Sequence, residues 1–179
     1  MTGIPKIKLM RSAKSSKQGL RGLCELVTAA GKTAVAVEVG AYMGEATVIL
    51  AEYMQSVYAV DQWRTGYDPK DRASRDNGIP VRKAFIDRTH DVQHIYSLHM
   101  TGDMASALFT DGTLDLVYID ADHRYPAVKR DIELWRPKVV PGGFITGHDY
   151  RSGVKQAVDE AFPGVHVECF CDSSWAVQL

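Results

Sequence analysis

Two short stretches concentrate the residue types that move protons or hold cations. They are Tyr118-Ile119-Asp120-Ala121-Asp122-His123-Arg124-Tyr125 and Thr146-Gly147-His148-Asp149-Tyr150. Each directly follows an apolar run, LDLV in the first case and FI in the second. Five ionisable side chains, Asp120, Asp122, His123, His148 and Asp149, serve no packing purpose at such exits and mark a candidate site. Carboxylates and imidazoles together suit general acid–base work or a divalent cation. Asp122 also precedes a helix that opens at Pro126, and is suited to cap it.

Three further exits carry a different chemistry. Glu38-Val39-Gly40-Ala41-Tyr42-Met43-Gly44-Glu45 follows the valine-rich run TAVAV. Gly40 permits a sharp turn and a close backbone approach. Gly44 opens a helix whose first N–H groups favour an anionic group. The stretch is not the G-x-G-x-x-G of dinucleotide sites. Asp61, 23 residues after Glu38, ends the run SVYAV and is placed to accept the two hydroxyls of a ribose. Thr101-Gly102-Asp103-Met104 follows HIYSLHM. Asp103 can cap the next helix or accept from an adenine amino group, with Met104 packed on the ring.

The elements that must position these residues alternate along the chain. Helical spacing is expected over 16–30, 45–55, 80–92, 103–109, 126–135 and 153–162, and buried strands over 33–40, 56–61, 94–100, 114–120 and 144–148. Residues 62–79 read as a polar loop or irregular insert, and Pro141-Gly142-Gly143 as a turn. VHVECF and SWAVQL close the chain as two strands joined without a helix, which should pair antiparallel. Strand–helix alternation implies right-handed crossovers and an α/β, mainly parallel sheet. Ligands bind such sheets at the carboxyl ends of the strands, where all five exits lie.

Composition bounds the rest. The 179 residues are 45% hydrophobic and 24% charged, which excludes disordered and collagen-like classes. No apolar run reaches the roughly 18 residues of a membrane span, and the N-terminus lacks a signal peptide's apolar core, so a cytoplasmic protein is expected. Cys24, Cys169 and Cys171 match neither a disulfide framework nor a zinc motif and are expected to be buried thiols. Net charge is −1, yet residues 1–24 carry +6 and the remainder −7. Residues 1–15 read as a basic arm, mobile or closing over an acceptor, and residues 16–179 as a single domain. No aromatic residue lies among the arm's bases to stack on a nucleobase, which argues against a dedicated nucleic-acid binder.

With those exits in hand, the chain resembles a class I S-adenosylmethionine-dependent methyltransferase over roughly residues 16–179. VEVGAYMGEAT matches the first family motif, VYAVDQW the second, and TGDMASAL the adenine-contact position. DGTLDLVYIDADHRYPAVKRDIELWRPKVVPGGFITGHDY is similar to the small-molecule and sugar O-methyltransferase branch. The resemblance implies a Rossmann-like sheet of seven strands, order 3-2-1-4-5-7-6, with strand seven antiparallel. It implies cofactor contacts from Glu38, Gly40, Ala41, Tyr42, Met43, Gly44, Asp61, Gln62, Asp103, Met104 and Asp120. Metal-using relatives imply a divalent ion, magnesium or manganese among others, at Asp120, His148 and Asp149. His148 departs from their oxygen ligands, so it is equally placed as a general base with Asp120. The implied reaction is methylation of a small-molecule acceptor at a hydroxyl oxygen. Two alternatives are a nicotinamide-dependent oxidoreductase and a non-catalytic nucleoside-binding protein. The insert 62–79 is expected to act as lid and specificity element.

Overall fold

The computed structural model describes residues 9–11, 13–68, 70, 72–76 and 78–179. Seven strands form one sheet: β1 (Val35–Val39), β2 (Ser56–Asp61), β3 (Ile95–His99), β4 (Leu114–Ile119), β5 (Val139–Gly147), β6 (Glu168–Cys169) and β7 (Trp175–Gln178). The helices are α1 (Lys14–Ala29), α2 (Glu45–Ala51), α3 (Arg72–Asp76), α4 (Ile79–Thr89), α5 (Gly102–Ser106), α6 (Tyr125–Trp135) and α7 (Ser152–Ala161). The strand order is β3-β2-β1-β4-β5-β7-β6, with β7 antiparallel to both neighbours. This is the order the resemblance implied.

The period of two along each strand divides the core. Val37, Val39, Val117, Ile119 and Ile145 face α6 and α7, where Val128, Ile132, Trp135, Val154 and Val158 meet them. Ala36, Leu116, Tyr118 and Phe144 face the other side, against Leu20, Leu23 and Val27 of α1 and Ile49 and Leu50 of α2. Each fully buried aliphatic or aromatic side chain contributes roughly 1.5–3 kcal/mol, so both faces are strongly fixed. A third cluster packs Trp63, Val81 and Phe85 on Ala41, Met43 and Ala59. It ties α4 and the start of the 62–79 segment to the turn after β1.

The registers bring the exits level. Val39 pairs with Val60 and Ile119, and Ile119 pairs with Gly147. Hydrogen bonds continue the ladder one residue further: Gly40 N–H donates to Val60 O (2.8 Å), Asp120 N–H to Val39 O (2.8 Å) and His148 N–H to Ile119 O (3.1 Å). Asp61, Gly40, Asp120 and His148 therefore stand along one edge.

Several expectations are corrected. Pro141-Gly142-Gly143 is not a turn but part of β5, with a register shift against β4. Gly142 N–H donates to Leu179 O (2.7 Å) and Leu179 N–H to Gly143 O (2.9 Å), so Leu179 pairs with the segment across a bulge at Gly142, whose φ is +74°. The 62–79 insert contains α3, α2 ends at Ala51, and β6 spans two residues only. Of the cysteines, Cys24 is buried while Cys169 and Cys171 are exposed. The basic arm lies outside the described residues over 1–8 and at 12. Within it, Arg11 is buried at 5% exposure, and Lys14 and Ser15 already belong to α1, so this part of the arm is not a loose tail.

Candidate active site

A cavity of about 370 Å³ opens at the carboxyl ends of β1, β2, β4 and β5. Its size suits a small organic ligand, for which roughly 300–1,000 Å³ is usual. One half is built by the β1–α2 turn. Glu38, Gly40, Ala41, Tyr42 and Met43 line it. Gly44 lies just off the wall and caps α2 with φ +75°. Gly40 has φ +98°, and a Cβ there would lie 2.3 Å from Asp120 O. Glycine at position 40 is thus required by the backbone leaving β4, whatever ligand is bound.

Glu38 projects to the α1–α2 face of β1 and is 1% exposed. Burial pushes its carboxyl up to about 8. The Thr47 hydroxyl, which donates to Glu38 Oε2, opposes the rise, and Asp120 and Asp61 add to it. A cation brought to this wall would return the carboxylate to its charged form.

Asp61 and Gln62 line the same half. Asp61 Oδ2 accepts from Tyr42 N–H (2.9 Å) and Oδ1 from Trp63 N–H (2.6 Å), which fixes the plane of the carboxylate. The expected adenine contacts lie elsewhere. Arg130 of α6 holds the Asp103 carboxylate (Nε to Oδ2 2.8 Å), and Met104 is 61% exposed. Neither lines the cavity; Met100, Thr101 and Gly102 do. Thr101, not Asp103, caps α5, accepting from Met104 N–H at 3.3 Å.

The other half is the carboxylate–imidazole cluster. Asp120 Oδ1 lies 3.2 Å from His123 Nε2 and 3.7 Å from His148 Nδ1. Asp149 Oδ1 lies 3.5 Å from His148 Nδ1, and Asp149 Oδ2 is 3.9 Å from His123 Nε2. Arg151 Nη2 holds Asp149 Oδ1 at 2.6 Å, on a residue with φ +56°. Burial alone would raise the Asp120 carboxyl; His148, His123 and Arg11 outweigh it and hold it well below the usual carboxylate range. Asp122 is turned to Arg124, its ion-pair partner.

Asp120, His123 and His148 offer ligand atoms that all lie within 4.8 Å of one another. Two imidazoles and one carboxylate suit zinc, iron or nickel; the all-oxygen octahedron that magnesium prefers is not what these residues provide. Asp149, expected as the third ligand, stands beside this set rather than in it.

Some cavity residues carry no signal in their own sequence neighbourhood. Met10 and Arg11 line the wall. Met10 N–H and Arg11 N–H donate to the Glu45 carboxylate at 2.7 and 3.2 Å. Tyr67 and Ala73 bring the 62–79 insert to the same wall.

A family model described as a methyltransferase domain matches residues 37–150, from β1 through the end of β5. The chain belongs to this methyltransferase family. Its sheet is that of the class I S-adenosylmethionine-dependent methyltransferases. A search of curated proteins gave no match. Among solved structures, a methyltransferase from Geobacter sulfurreducens is 12% identical with a TM-score of 0.65, covering 93% of this chain and 78% of the other. The N-methyltransferase NodS from Bradyrhizobium japonicum, in complex with S-adenosyl-L-homocysteine, is 13% identical (TM-score 0.63; 93% and 87% covered). Precorrin 8W decarboxylase from Methanobacterium thermoautotrophicum is 21% identical (TM-score 0.61; 92% and 77% covered). Likeness at these identities speaks for the fold alone, since one fold serves several chemistries. For this methyltransferase the substrate must be argued from the site.

Proposed function

We propose that this methyltransferase transfers the methyl group of S-adenosylmethionine to a hydroxyl oxygen of a small-molecule acceptor. The supporting observation is that one cavity joins two unlike halves: an acid-and-glycine turn fit for a nucleoside with a cationic tail, and an Asp–His cluster fit to take a proton. When bound, the cofactor supplies an electrophilic methyl group on its sulfonium.

The chain's own residues do the remainder. Asp61 receives the ribose hydroxyls, Gln62 sits beside it, and Met100–Gly102 flank the adenine end. Glu38 and the Gly40–Gly44 turn hold the methionine part. An alcohol attacks poorly until its proton is taken. His148 accepts that proton, and the carboxylates of Asp149 and Asp120, 3.5 and 3.7 Å from its Nδ1, stabilise the imidazolium. In-line placement of acceptor oxygen and methyl group supplies most of the rate. Tyr67 and Ala73 border the acceptor side and select its shape.

A second reading gives the cluster a divalent ion, which would lower the hydroxyl pKa in place of the base. The convergence of Asp120, His123 and His148 favours it. Arg11 speaks for the metal-free route, because its guanidinium already sets a positive charge 3.0 Å from Asp120.

The test is transfer of labelled methyl from S-adenosylmethionine to a panel of phenols, sugars and amines, with cofactor binding followed separately by calorimetry. Labelled methyl ethers are expected. Labelled amines and no ethers would overturn the hydroxyl acceptor. Binding with no transfer to any acceptor would point to a nucleoside-binding protein without turnover.

A further inference from the structure

Arg11 is the most heavily engaged charged side chain outside the cofactor half. Its guanidinium reaches three separate parts of the chain. Nη2 is 3.0 Å from Asp120 Oδ2 and also donates to the Tyr118 hydroxyl. Nη1 is 2.9 Å from Asp172 Oδ2 and 3.2 Å from Ser16 O. Asp172 lies between β6 and β7 and is itself fixed, accepting from Ser174 N–H and Ser174 Oγ, each at 3.0 Å. The side chains of Arg11 and Asp172 are 6% and 1% exposed. The backbone beside Arg11 is anchored as well, through Glu45 at the first turn of α2.

This bracing has a geometric consequence at Asp120. With Oδ2 committed to Arg11, Oδ1 is the oxygen turned to His123 and His148. A carboxylate gripped at one oxygen by a planar guanidinium has a fixed rotamer and a fixed plane. Lysine, a point charge on a flexible stem, cannot span Asp120, Asp172 and Tyr118 in the same way.

We propose that Arg11 is a positioning residue of the active site: it holds Asp120 Oδ2, aims Oδ1 at the two histidines, and makes Met10–Arg11 a wall of the acceptor cavity. The inference rests on the methyl-transfer reading for its catalytic consequence, but its geometric core does not need turnover to be tested.

The experiment uses the full chain with three changes: Arg11→Lys, Arg11→Met, and Arg11→Met with Asp172→Asn. The third removes the acid that Arg11→Met would strand in the interior, a defect that can unfold a protein by itself. Histidine ring nitrogen spectra are recorded at one fixed pH, with His123 and His148 signals assigned from His123→Gln and His148→Gln. Calorimetry with S-adenosyl-L-homocysteine and thermal melts report cofactor site and fold. The wild-type spectrum should show His123 in the Nε2–H form hydrogen-bonded to Asp120. Arg11→Lys and the double variant should lose that signature while binding S-adenosyl-L-homocysteine within about threefold of wild type. With an acceptor identified by the labelled-methyl panel, kcat should fall about 10–100-fold at unchanged KM for the cofactor, the scale of a misplacement near 1 Å. Unchanged His123 signals in both variants would overturn the proposal. So would a double variant that regains both melting temperature and kcat, since Arg11 would then be structural only. If wild type binds cofactor but methylates nothing, the function reading fails while the ring spectra still decide the role of Arg11.

Discussion

Replacing Asp61 tests the cofactor half most directly. Its carboxylate is clamped by Tyr42 N–H at 2.9 Å and Trp63 N–H at 2.6 Å, so its remaining acceptor directions are aimed rather than free to turn. Two ribose hydroxyls donating to a charged acceptor contribute about 1.5–3 kcal/mol each. Their joint loss in Asp61→Ala is therefore about 3–6 kcal/mol, or roughly 100- to 10,000-fold in affinity. Water entering the space of the lost side chain moves the expectation to the lower end. Asp61→Asn is the sharper probe. Its shape is the same, but its NH₂ must face one of the two backbone N–H donors, so a repulsive contact replaces one clamp while a single acceptor oxygen remains. It should fall between wild type and Asp61→Ala. The assay is calorimetry with S-adenosyl-L-homocysteine, beside a thermal melt that confirms folding. A folded Asp61→Ala with unchanged affinity would refute the ribose assignment and the orientation of the ligand in the cavity.

Three further outcomes are expected. Because burial raises the Glu38 carboxyl to about 8, its proton must leave before a cationic ligand is fully stabilised, so S-adenosylmethionine affinity should climb as pH rises toward and through 8. Glu38→Gln should remove that climb, and a flat wild-type profile from pH 6 to about 9 would contradict it. Gly40→Ala should lower the melting temperature far more than Gly31→Ala, because a Cβ at Gly40 meets Asp120 O at 2.3 Å while one at Gly31 meets nothing within 4 Å. Gly31→Ala carries only the left-handed backbone cost of about 1–2 kcal/mol, and equal melts would undo the close-approach argument. On the base route through His148, methyl transfer should persist in excess EDTA and disappear in His148→Ala. Loss in EDTA with recovery on adding one divalent ion would hand the cluster to a metal.

The sequence makes some of this legible for definite reasons. VAVEV and LDLVYI are buried on both faces, so their run of apolar residues marks central strands without ambiguity. Asp61, Asp120 and His148 are readable because each directly follows such a run, and a parallel sheet puts all such positions on one edge. What escapes is whatever depends on distant partners. Asp103 reads as a ligand contact or a helix cap, and its ion pair with Arg130, 27 residues later, is what no local pattern announces. Pro141-Gly142-Gly143 has the composition of a turn but is paired into β5 by Leu179, with Gly142 as a left-handed bulge. Arg11 sits in a basic stretch that reads as an arm, mobile or closing over an acceptor. Its acids, Asp120 and Asp172, are 109 and 161 residues away, and no local spacing could announce them. The His123 contact with Asp120 is the exception: three residues apart in the densest polar cluster of the chain, His123 reads as a candidate, though not as the neighbour closer to Asp120 than His148.

The charges of the cavity bear on which ligand belongs there. Among the described residues its wall carries six carboxyl side chains, Glu38, Glu45, Asp61, Asp120, Asp122 and Asp149, against two arginines, Arg11 and Arg151. Both arginines are spent on acids of the cluster and its neighbour Asp172. A nicotinamide dinucleotide brings two phosphates, and a site for it sets backbone N–H groups and a helix N-terminus toward them. Here the residue opening α2 is Glu45, whose carboxylate is engaged with the arm, so the helix start presents an acid beside the cavity. Glu38 lies on the same side and adds its charge to the wall only once its raised carboxyl, near 8, has lost its proton. An acidic wall of this kind repels a pyrophosphate and attracts a ligand whose reacting end is positive. A sulfonium bearing an amino-acid tail meets that demand, which is the electrostatic ground for placing S-adenosylmethionine rather than a dinucleotide in this sheet.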